Sequence, residues 1–287
     1  MMKALPKSTL LRRAIEQGCV MMPGAFNAAT ARLVERAGFP AVYVSGAGLA
    51  NATAGVPDIG LLTLTEVAQL AGYIADAVRI PALADADTGF GGPENVARTV
   101  QAFERAGLAG MHLEDQAFPK RCGHLAGKEL IPIEEVTAKI AAAAQSRRDR
   151  DFLLVARTDA RSVEGFEAAV RRAQNYLQAG ADAVFPEALE SAQEFRDFAR
   201  RVRAPLLANM TEFGRSPLLS ARQLGAMGYR IVIFPLTAFR VSMKAAERCL
   251  RDLKRRGTQR SWLDQMQTRQ ELYDLLGYDP RADWWME

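Results

Sequence analysis

Cysteines and histidines are scarce in this sequence, and long hydrophobic runs are missing. The three cysteines among its 287 residues, Cys19, Cys122 and Cys249, are odd in number and far apart. Their spacing argues against a disulfide framework and indicates a reducing compartment, so we expect a cytoplasmic protein. No apolar run approaches the roughly 18 residues of a membrane span. No signal-peptide-like apolar stretch follows Lys3 and Lys7. We therefore expect neither a membrane protein nor a secreted one.

A strong excess of charge of one sign is also missing. The 37 lysines and arginines nearly balance 33 acidic residues, which gives a formal net charge of +4. Two short basic runs, at 200–203 and 254–256, contain no aromatic residues that would stack on nucleic-acid bases. Such runs are typical of solvated helix faces. We therefore expect neither nucleic acid nor membrane as a partner.

Short apolar runs alternate with longer amphipathic segments along the whole chain. Apolar strands of this kind, without polar alternation, favour a parallel sheet buried on both faces. Eight strand–helix units in a chain of this length predict an α/β fold, a single (β/α)8 TIM barrel over residues 1–287. The predicted strands are 20–22, 41–44, 81–84, 110–113, 152–156, 183–185, 205–208 and 231–234, and the clearest predicted helices are 28–37, 65–77, 93–106, 133–144, 165–179 and 191–201.

Two further helix-like segments follow the eighth strand, at 238–256 and 261–276, whereas a barrel needs only one closing helix. We predict that residues 238–287 close the barrel and form an interface between subunits. The aromatic tail Trp284-Trp285-Met286 supports this prediction, since clustered apolar side chains outside a core mark contact surfaces. The expected state is therefore a homo-oligomer.

Polar residues end most of the predicted strands. In a barrel these strand ends converge on one opening, the mouth, where barrel enzymes carry their active sites. The sequence therefore predicts an active site built from several distant segments. The residues are Ser45, Asp85 with Asp87, Glu114 with Asp115, Arg157 with Asp159, Glu187, and Asn209 with Thr211.

Asp85 and Asp87 form a D-x-D pair ahead of a glycine-rich loop. Alternating side chains of an extended segment would place both carboxylates on one side. Carboxylates without nearby histidine or cysteine suit a hard cation, Mg2+ or Mn2+, and Asp58 and Glu114 would complete the site through water. The neighbouring Ser45-Gly46-Ala47-Gly48 segment offers backbone N–H groups to an anion.

The segment Lys120-Arg121-Cys122-Gly123-His124 places a thiol beside two cations and one of only two imidazoles. Nearby positive charge lowers the pKa of a thiol, so we expect Cys122 to be reactive, with Lys120 and His124 as its catalytic neighbours. A buried structural cysteine is the alternative, but the flanking residues are charged. A Schiff-base role for Lys120 lacks the desolvated pocket that such lysines need.

Arginines are the candidate groups for substrate carboxylates, because a guanidinium pairs with a carboxylate through two parallel hydrogen bonds. Arg157 lies at a predicted strand end, and Arg240 and Arg269 lie in the C-terminal helical region. A metal site, several arginines and a thiol together favour a small polyanionic substrate and a carbanion that the thiol protonates.

Seven segments resemble the isocitrate lyase and phosphoenolpyruvate mutase superfamily, and within it the short 2-methylisocitrate lyases. The similarity extends from about Leu10 to about Tyr278, and the KRCGH motif is specific to the lyase branch. The segments are VYVSG from residue 42, ADADTGFG from 84, HLEDQ from 112, KRCGH from 120, ARTDA from 156, FPEA from 185 and LANMTEFG from 207.

The resemblance implies a Mg2+-dependent cleavage of 2-methylisocitrate to succinate and pyruvate, as in propionate catabolism through the methylcitrate cycle. It implies that Asp85 and Asp87 hold the metal, with Asp58 and Glu114 assisting through water. Cys122 would then protonate the carbanion, and Tyr43 is our candidate for the base that takes the hydroxyl proton. The implied substrate contacts are Ser45, Gly46, Ala47, Cys122, Gly123, Arg157, Glu187, Asn209, Thr211, Arg240 and Arg269.

The resemblance also implies that the last helices exchange between neighbouring subunits, usually in a tetramer. One alternative is a lyase or decarboxylase of the same superfamily that acts on isocitrate, dimethylmalate or oxaloacetate. An alternative of a different class is a catalytically silent barrel that serves as a binding or assembly module.

Overall fold

Eight parallel strands form one curled sheet in the computed structural model, which describes residues 5–279 and residue 281. Strand β1 pairs with both β2 and β8, and a single bridge between Val184 and Leu206 joins β6 to β7. The predicted (β/α)8 barrel is therefore confirmed. The strands are β1 Val20–Ala25, β2 Val42–Val44, β3 Ala82–Asp85, β4 Gly110–Glu114, β5 Leu153–Thr158, β6 Ala183–Pro186, β7 Leu207–Asn209 and β8 Ile231–Phe234.

Helices alternate with these strands, and capping residues in the sequence explain several of their ends. Thr63 and Glu66 form a reciprocal capping box at the start of α4, and Gly180 relieves the left-handed turn (φ +110°) just after α8. The helices are α1 Lys7–Gln17, α2 Ala28–Arg36, α3 Gly46–Leu49, α4 Leu64–Ala77, α5 Pro93–Arg105, α6 Ile133–Ser146, α7 Ala160–Val163, α8 Phe166–Gln178, α9 Ala192–Arg201, α10 Ala221–Met227, α11 Thr237–Arg256 and α12 Arg269–Leu276, with a π-helical turn at Ala50–Ala54 and a 3-10 helix at Arg260–Gln265.

The barrel interior is a packed core that is closed at the end opposite the mouth. Helix α1, which the strand–helix pattern did not predict, packs Leu11 and Ile15 against the first residues of the strands, such as Val20 and Ile231. Phe185 and Tyr43 fill the interior nearer the mouth. Burying these apolar side chains leaves the mouth as the open end of the barrel.

Most of helix α11 projects away from the barrel. Helix α11 has no buried residue. Within this helix, after Arg240, Cys249 and Asp252 are half-buried and the other residues are exposed. The single helix predicted over 261–276 is wrong, because Thr268 and Glu271 cap a new helix, α12, after the 3-10 helix. Helix α12 packs on α2. The aromatic tail at 284–286 lies outside the described residues. None of the described helices has the length and hydrophobicity that a membrane span needs.

We expect Gly24→Ala to destabilise the barrel strongly. A Cβ at Gly24 in β1 would lie 2.0 Å from the backbone oxygen of Pro235, so the strand or the loop after β8 must shift. Overpacking of this kind costs about 1–3 kcal/mol. Gly18→Ala is the matched control, since nothing lies within 4 Å of its added Cβ. Urea unfolding measures both variants, and equal stabilities would contradict the packing argument.

Candidate active site

A pair of carboxylates lies at the end of β3. The N–H of Asp87 donates to Oδ1 of Asp85 at 3.0 Å, and the N–H of Gly46 donates to Oδ2 at 3.3 Å. The segment is not extended as predicted, since Asp87 has φ +46°. A turn therefore brings the two carboxylates together. A Cβ at Gly46 would lie 2.9 Å from Oδ2 of Asp85, so only glycine allows this close approach.

Lys120 enters this carboxylate cluster and does not lie beside the thiol. Its ammonium contacts Asp58 and lies 2.7 Å from Oδ1 of Asp87. Burial alone would lower the pKa of Lys120, but the surrounding carboxylates raise it well above its usual value. Burial raises the pKa of Asp87 to about 6 although Lys120 opposes the shift. Lys120 is therefore a fixed cation and cannot act as a Schiff-base amine.

The carboxylate cluster fits a hard divalent cation held partly through water. Oε1 of Glu114 is buried without a hydrogen-bond partner. Among residues 5–279 and 281, no three histidine, cysteine or acidic side chains are close enough to ligate a metal directly. Mg2+ typically binds one or two carboxylates and keeps several waters. Asp85 and Asp87 suit the direct positions, and Asp58 and Glu114 suit water-mediated ones.

Arg157 at the end of β5 is surrounded by carboxylates. Its Nε lies 2.9 Å from Asp159, Nη1 lies 3.1 Å from Glu114, and Nη2 lies 3.5 Å from Glu187. The guanidinium also lies over the ring of Phe185, 5.2 Å from its centroid. Burial alone would lower the pKa of Arg157, but the three carboxylates raise it well above its usual value. The arginine is thus a fixed positive charge at the mouth.

The loop over residues 118–128 covers the mouth and carries Cys122. Its two ends pair through an antiparallel bridge between Gln116 and Leu130. Gly123 packs so closely on the site that an added Cβ would lie 2.4 Å from Nη2 of Arg157. The loop is therefore in a closed position in this structure.

The predicted low pKa of the Cys122 thiol is wrong. Although Cys122 remains solvent-accessible, the protein packed around its sulfur raises its pKa by desolvation. The amide of His124 and the charge of Arg157 lower the pKa, but their effect is smaller than that of desolvation. The two preceding cations do not help, because Lys120 turns to the carboxylates and Arg121 is exposed. The thiol stays protonated at neutral pH, as a proton donor requires.

Two contacts fix the ring of His124, and neither of them directs it at the Cys122 thiol. Its Nδ1 accepts the backbone N–H of Arg215 at 2.9 Å, and its Nε2 lies 2.9 Å from Oε1 of Glu187. Burial opposes ionisation of Glu187, but Arg157 and His124 outweigh this effect and lower its pKa. Asn209 adds a hydrogen bond to Glu187 at 3.2 Å. His124 therefore fastens the loop to the barrel.

Tyr43 contacts a histidine that the sequence analysis did not select. The Tyr43 hydroxyl lies 2.7 Å from Nε2 of His112, which lies 3.5 Å from Oδ1 of Asp85. Burial raises the pKa of Tyr43 well above its usual value and lowers that of His112. A free tyrosinate base is thus unfavourable, which revises the role predicted for Tyr43. The HLEDQ segment and the scarcity of histidine were signals for His112.

The structure brings most of the predicted site residues to one small cavity of about 60 Å³. Its volume is far below the roughly 300–1,000 Å³ of typical small-molecule pockets, so the loop must open to admit a substrate. Asp87, Glu114, Lys120 and Gly46 adjoin the cavity through the contacts above. The predicted residues that line it are Tyr43, Ser45, Ala47, Asp58, Asp85, Cys122, Gly123, His124, Arg157, Glu187, Asn209 and Thr211.

Two predicted carboxylate-binding arginines lie outside this cavity in their own chain. Arg240 lies on α11, 3.4 Å from Glu212 and over the ring of Phe213, and lines a separate groove. Arg269 is exposed at the start of α12. Within one chain, the substrate site therefore lacks both arginines.

Comparison with known proteins shows where this arrangement belongs. The sequence profile of the phosphoenolpyruvate phosphomutase family matches residues 11–254. The chain belongs to this family. Family members similar to it include the 2-methylisocitrate lyase of Aeropyrum pernix, which is 56% identical over 270 residues, 94% of this chain and 87% of that protein. The predicted resemblance is thereby confirmed.

Solved structures of other enzymes share the fold. The crystal structure of 2,3-dimethylmalate lyase has a TM-score of 0.91 and 38% identity, covering 96% of this chain and 93% of that chain. Phosphonopyruvate hydrolase in complex with oxalate and Mg2+ has a TM-score of 0.86 and 34% identity, covering 95% of both chains. The barrel architecture is thus common to enzymes with different substrates.

The raised pKa of Cys122 predicts slow alkylation at neutral pH. The thiolate is the form that reacts with iodoacetamide, so the labelling rate of native Cys122 should reach its midpoint at a higher pH than in the unfolded chain. Mass spectrometry of the peptide that contains Cys122 separates this site from Cys19 and Cys249. A native midpoint below that of the unfolded chain would contradict the structural interpretation.

Proposed function

We propose that this protein is a carbon–carbon lyase that cleaves 2-methylisocitrate to succinate and pyruvate. The observation that carries the proposal is the position of Cys122, on a closed loop above Arg157 and the Asp85–Asp87 pair. A thiol held above a cationic and carboxylate-lined cavity suits protonation of a carbanion. The substrate follows from the higher identity to a 2-methylisocitrate lyase than to 2,3-dimethylmalate lyase. This difference in sequence identity favours 2-methylisocitrate over isocitrate, dimethylmalate and oxaloacetate as the substrate.

Substrate carboxylates would bind to groups already present at the mouth. Arg157 supplies the buried cation, and Ser45 and Ala47, which line the cavity, would bind the pyruvate-forming end. Asn209 and Thr211 would contact the remaining carboxylates. A Mg2+ ion at Asp85 and Asp87 would polarise the hydroxyl and the developing carbonyl. Mn2+ has the same ligand preference and is the alternative metal.

The Tyr43–His112 pair is the proposed route for the hydroxyl proton. The hydroxyl of Tyr43 takes the substrate proton while it passes its own proton to Nε2 of His112, 2.7 Å away. No free tyrosinate forms, which accommodates the high pKa of Tyr43. Asp85, 3.5 Å from the same nitrogen, offsets part of the cost of forming the buried imidazolium.

Cys122 completes the reaction as an acid. The electron pair of the breaking C–C bond moves to the succinate carbon, and the thiol S–H delivers a proton there. The amide of His124 and the charge of Arg157 stabilise the thiolate that remains. Closure of the loop over residues 118–128 excludes water, which would otherwise compete as the proton donor.

A substrate panel tests the proposal. With Mg2+ present, we expect pyruvate from 2-methylisocitrate at a kcat/KM well above that for glyoxylate release from isocitrate or for turnover of 2,3-dimethylmalate and oxaloacetate. Cys122→Ser should lower kcat by about 10²–10⁴-fold, the usual contribution of a positioned general acid. Cys249→Ser, on α11 and outside the cavity, is the matched control.

Three outcomes would contradict this function. Near-full activity of Cys122→Ser would exclude the thiol as the acid, and unchanged turnover after exhaustive chelation would exclude the metal site. A folded oligomer that converts none of these substrates would favour the silent binding or assembly module.

Because the three cysteines are free thiols and Cys122 must stay reduced, we place the protein in the cytoplasm as part of the same proposal.

We also propose that the protein is a homo-oligomer, a tetramer, in which α11 packs on a neighbouring subunit. Met243 and Leu250, two turns apart on one side of this helix, are 54% and 64% exposed, and α11 buries no residue in its own chain. A 20-residue helix of this kind needs a partner surface to cover its apolar side. Exchange would also place Arg240 or Arg269 near another subunit's mouth.

Sedimentation equilibrium tests this assembly. We expect a native mass near four times the 31.4 kDa of the chain. The double substitution Met243→Glu and Leu250→Glu should yield smaller species, because it places charges in the proposed interface. Arg255→Glu, on the charged side of the same helix and away from Met243 and Leu250, is the control for the same total change of charge. A monomeric wild-type protein would refute helix exchange.

A further inference from the structure

One buried lysine at the base of the loop has no place in the chemistry described above. The ammonium of Lys128 donates to the backbone oxygen of Gly123 and lies 2.8 Å from Oδ1 of Asp159. The side chains of Lys128 and Asp159 are 1% and 0% exposed. Lys128 does not line the cavity. Its two contacts join the middle of the loop to the barrel wall, behind the reacting groups.

Asp159 is a rigid anchor for this lysine. Its backbone N–H donates to Oδ1 of Asp115 at 2.8 Å, and the other oxygen of Asp115 accepts hydrogen bonds from Thr158 and Tyr176. Both oxygens of Asp159 also accept from Arg157, at 2.9 and 3.1 Å. One buried carboxylate therefore fixes both the substrate-binding guanidinium and the lysine that holds the loop.

Two other cationic or imidazole side chains of the loop contact groups of the reaction site. Lys120 binds Asp58 and Asp87 of the carboxylate cluster, and His124 lies against Glu187 in the cavity. Lys128 is thus a buried loop cation whose substitution removes none of the proposed reacting groups. A substitution of Lys128 therefore tests the effect of the loop position without removing a group that takes part in the reaction.

We propose that Lys128 is a positioning residue, which holds the Gly123 backbone and therefore the Cys122 thiol over the cavity by linking the loop to the Asp159–Arg157 pair. Gly123 follows Cys122 directly, so a fixed Gly123 carbonyl restricts where the sulfur lies. Through Asp159, the closed loop and the oriented guanidinium depend on the same ion pairs. A displacement of about 1 Å at a reacting group costs about 10²-fold in rate, so this link matters for turnover.

Lys128→Met tests the proposal in the full-length protein. Methionine keeps an unbranched apolar chain but donates no hydrogen bond, and Asp159 keeps its ion pair with Arg157, so no unpaired buried charge remains. We expect Cys122 to react with iodoacetamide about 10-fold faster or more, because the loop is less often closed. We expect kcat to fall by about 10–100-fold, with a smaller change in KM.

The matched control is Lys7→Met. Lys7 is a lysine of α1 whose ammonium also donates to backbone oxygens, those of Ala75 and Val78, far from the loop. Its substitution should leave the labelling rate and kcat unchanged. Lys128→Gln, which keeps one possible donor to Gly123, should give intermediate labelling and also serves if Lys128→Met does not fold.

A labelling rate equal to wild type in a folded Lys128 variant would overturn the proposal, and so would an unchanged kcat. The kinetic measurement rests on the proposed lyase function, whereas alkylation of Cys122 needs no turnover. If the wild-type enzyme converts no substrate, the lyase proposal fails and the labelling rates still test the role of Lys128.

Discussion

The buried guanidinium of Arg157 is the interaction on which the rest of the site depends. It meets Glu114, Asp159 and Glu187, which come from three different strand ends. An isolated buried carboxylate is costly, and the same cation offsets that cost: it lowers the pKa of Glu187, whereas at Glu114 burial still raises the pKa. Removing the arginine would take away the one cation that these three carboxylates share. The site is therefore assembled around one positive charge.

The same constraint organises the loop above the mouth. Glu187 contacts His124, and Asp159 forms an ion pair with Lys128. Two carboxylates that contact Arg157 therefore also bind the loop. Gly123 lies directly on the guanidinium, where no side chain would fit. Closure therefore depends on geometry set by the barrel. A small closed cavity is the result, and opening it must break several charged contacts together.

Much of the architecture was predictable, because it depends on local pattern. The eight strands are predicted by short apolar runs. The meeting of their polar last residues at one mouth is predicted by the rule that barrel strand ends converge there. The break between the 3-10 helix and α12 was missed, although Thr268 and Glu271 carry a capping signal. Helix α1 was missed because its role, covering the strand starts, appears only in three dimensions.

The sequence by itself determined the order of strands and helices, the residue types at the mouth and the KRCGH motif. Only the tertiary structure decided which charge meets which. Lys120 lies only two residues before Cys122 in the chain, yet its ammonium contacts Asp58 and Asp87. The pKa of the Cys122 thiol is raised by desolvation. The physical reason is that a pKa depends on burial and on distances of a few ångströms. The fold, and not the spacing along the chain, sets those distances.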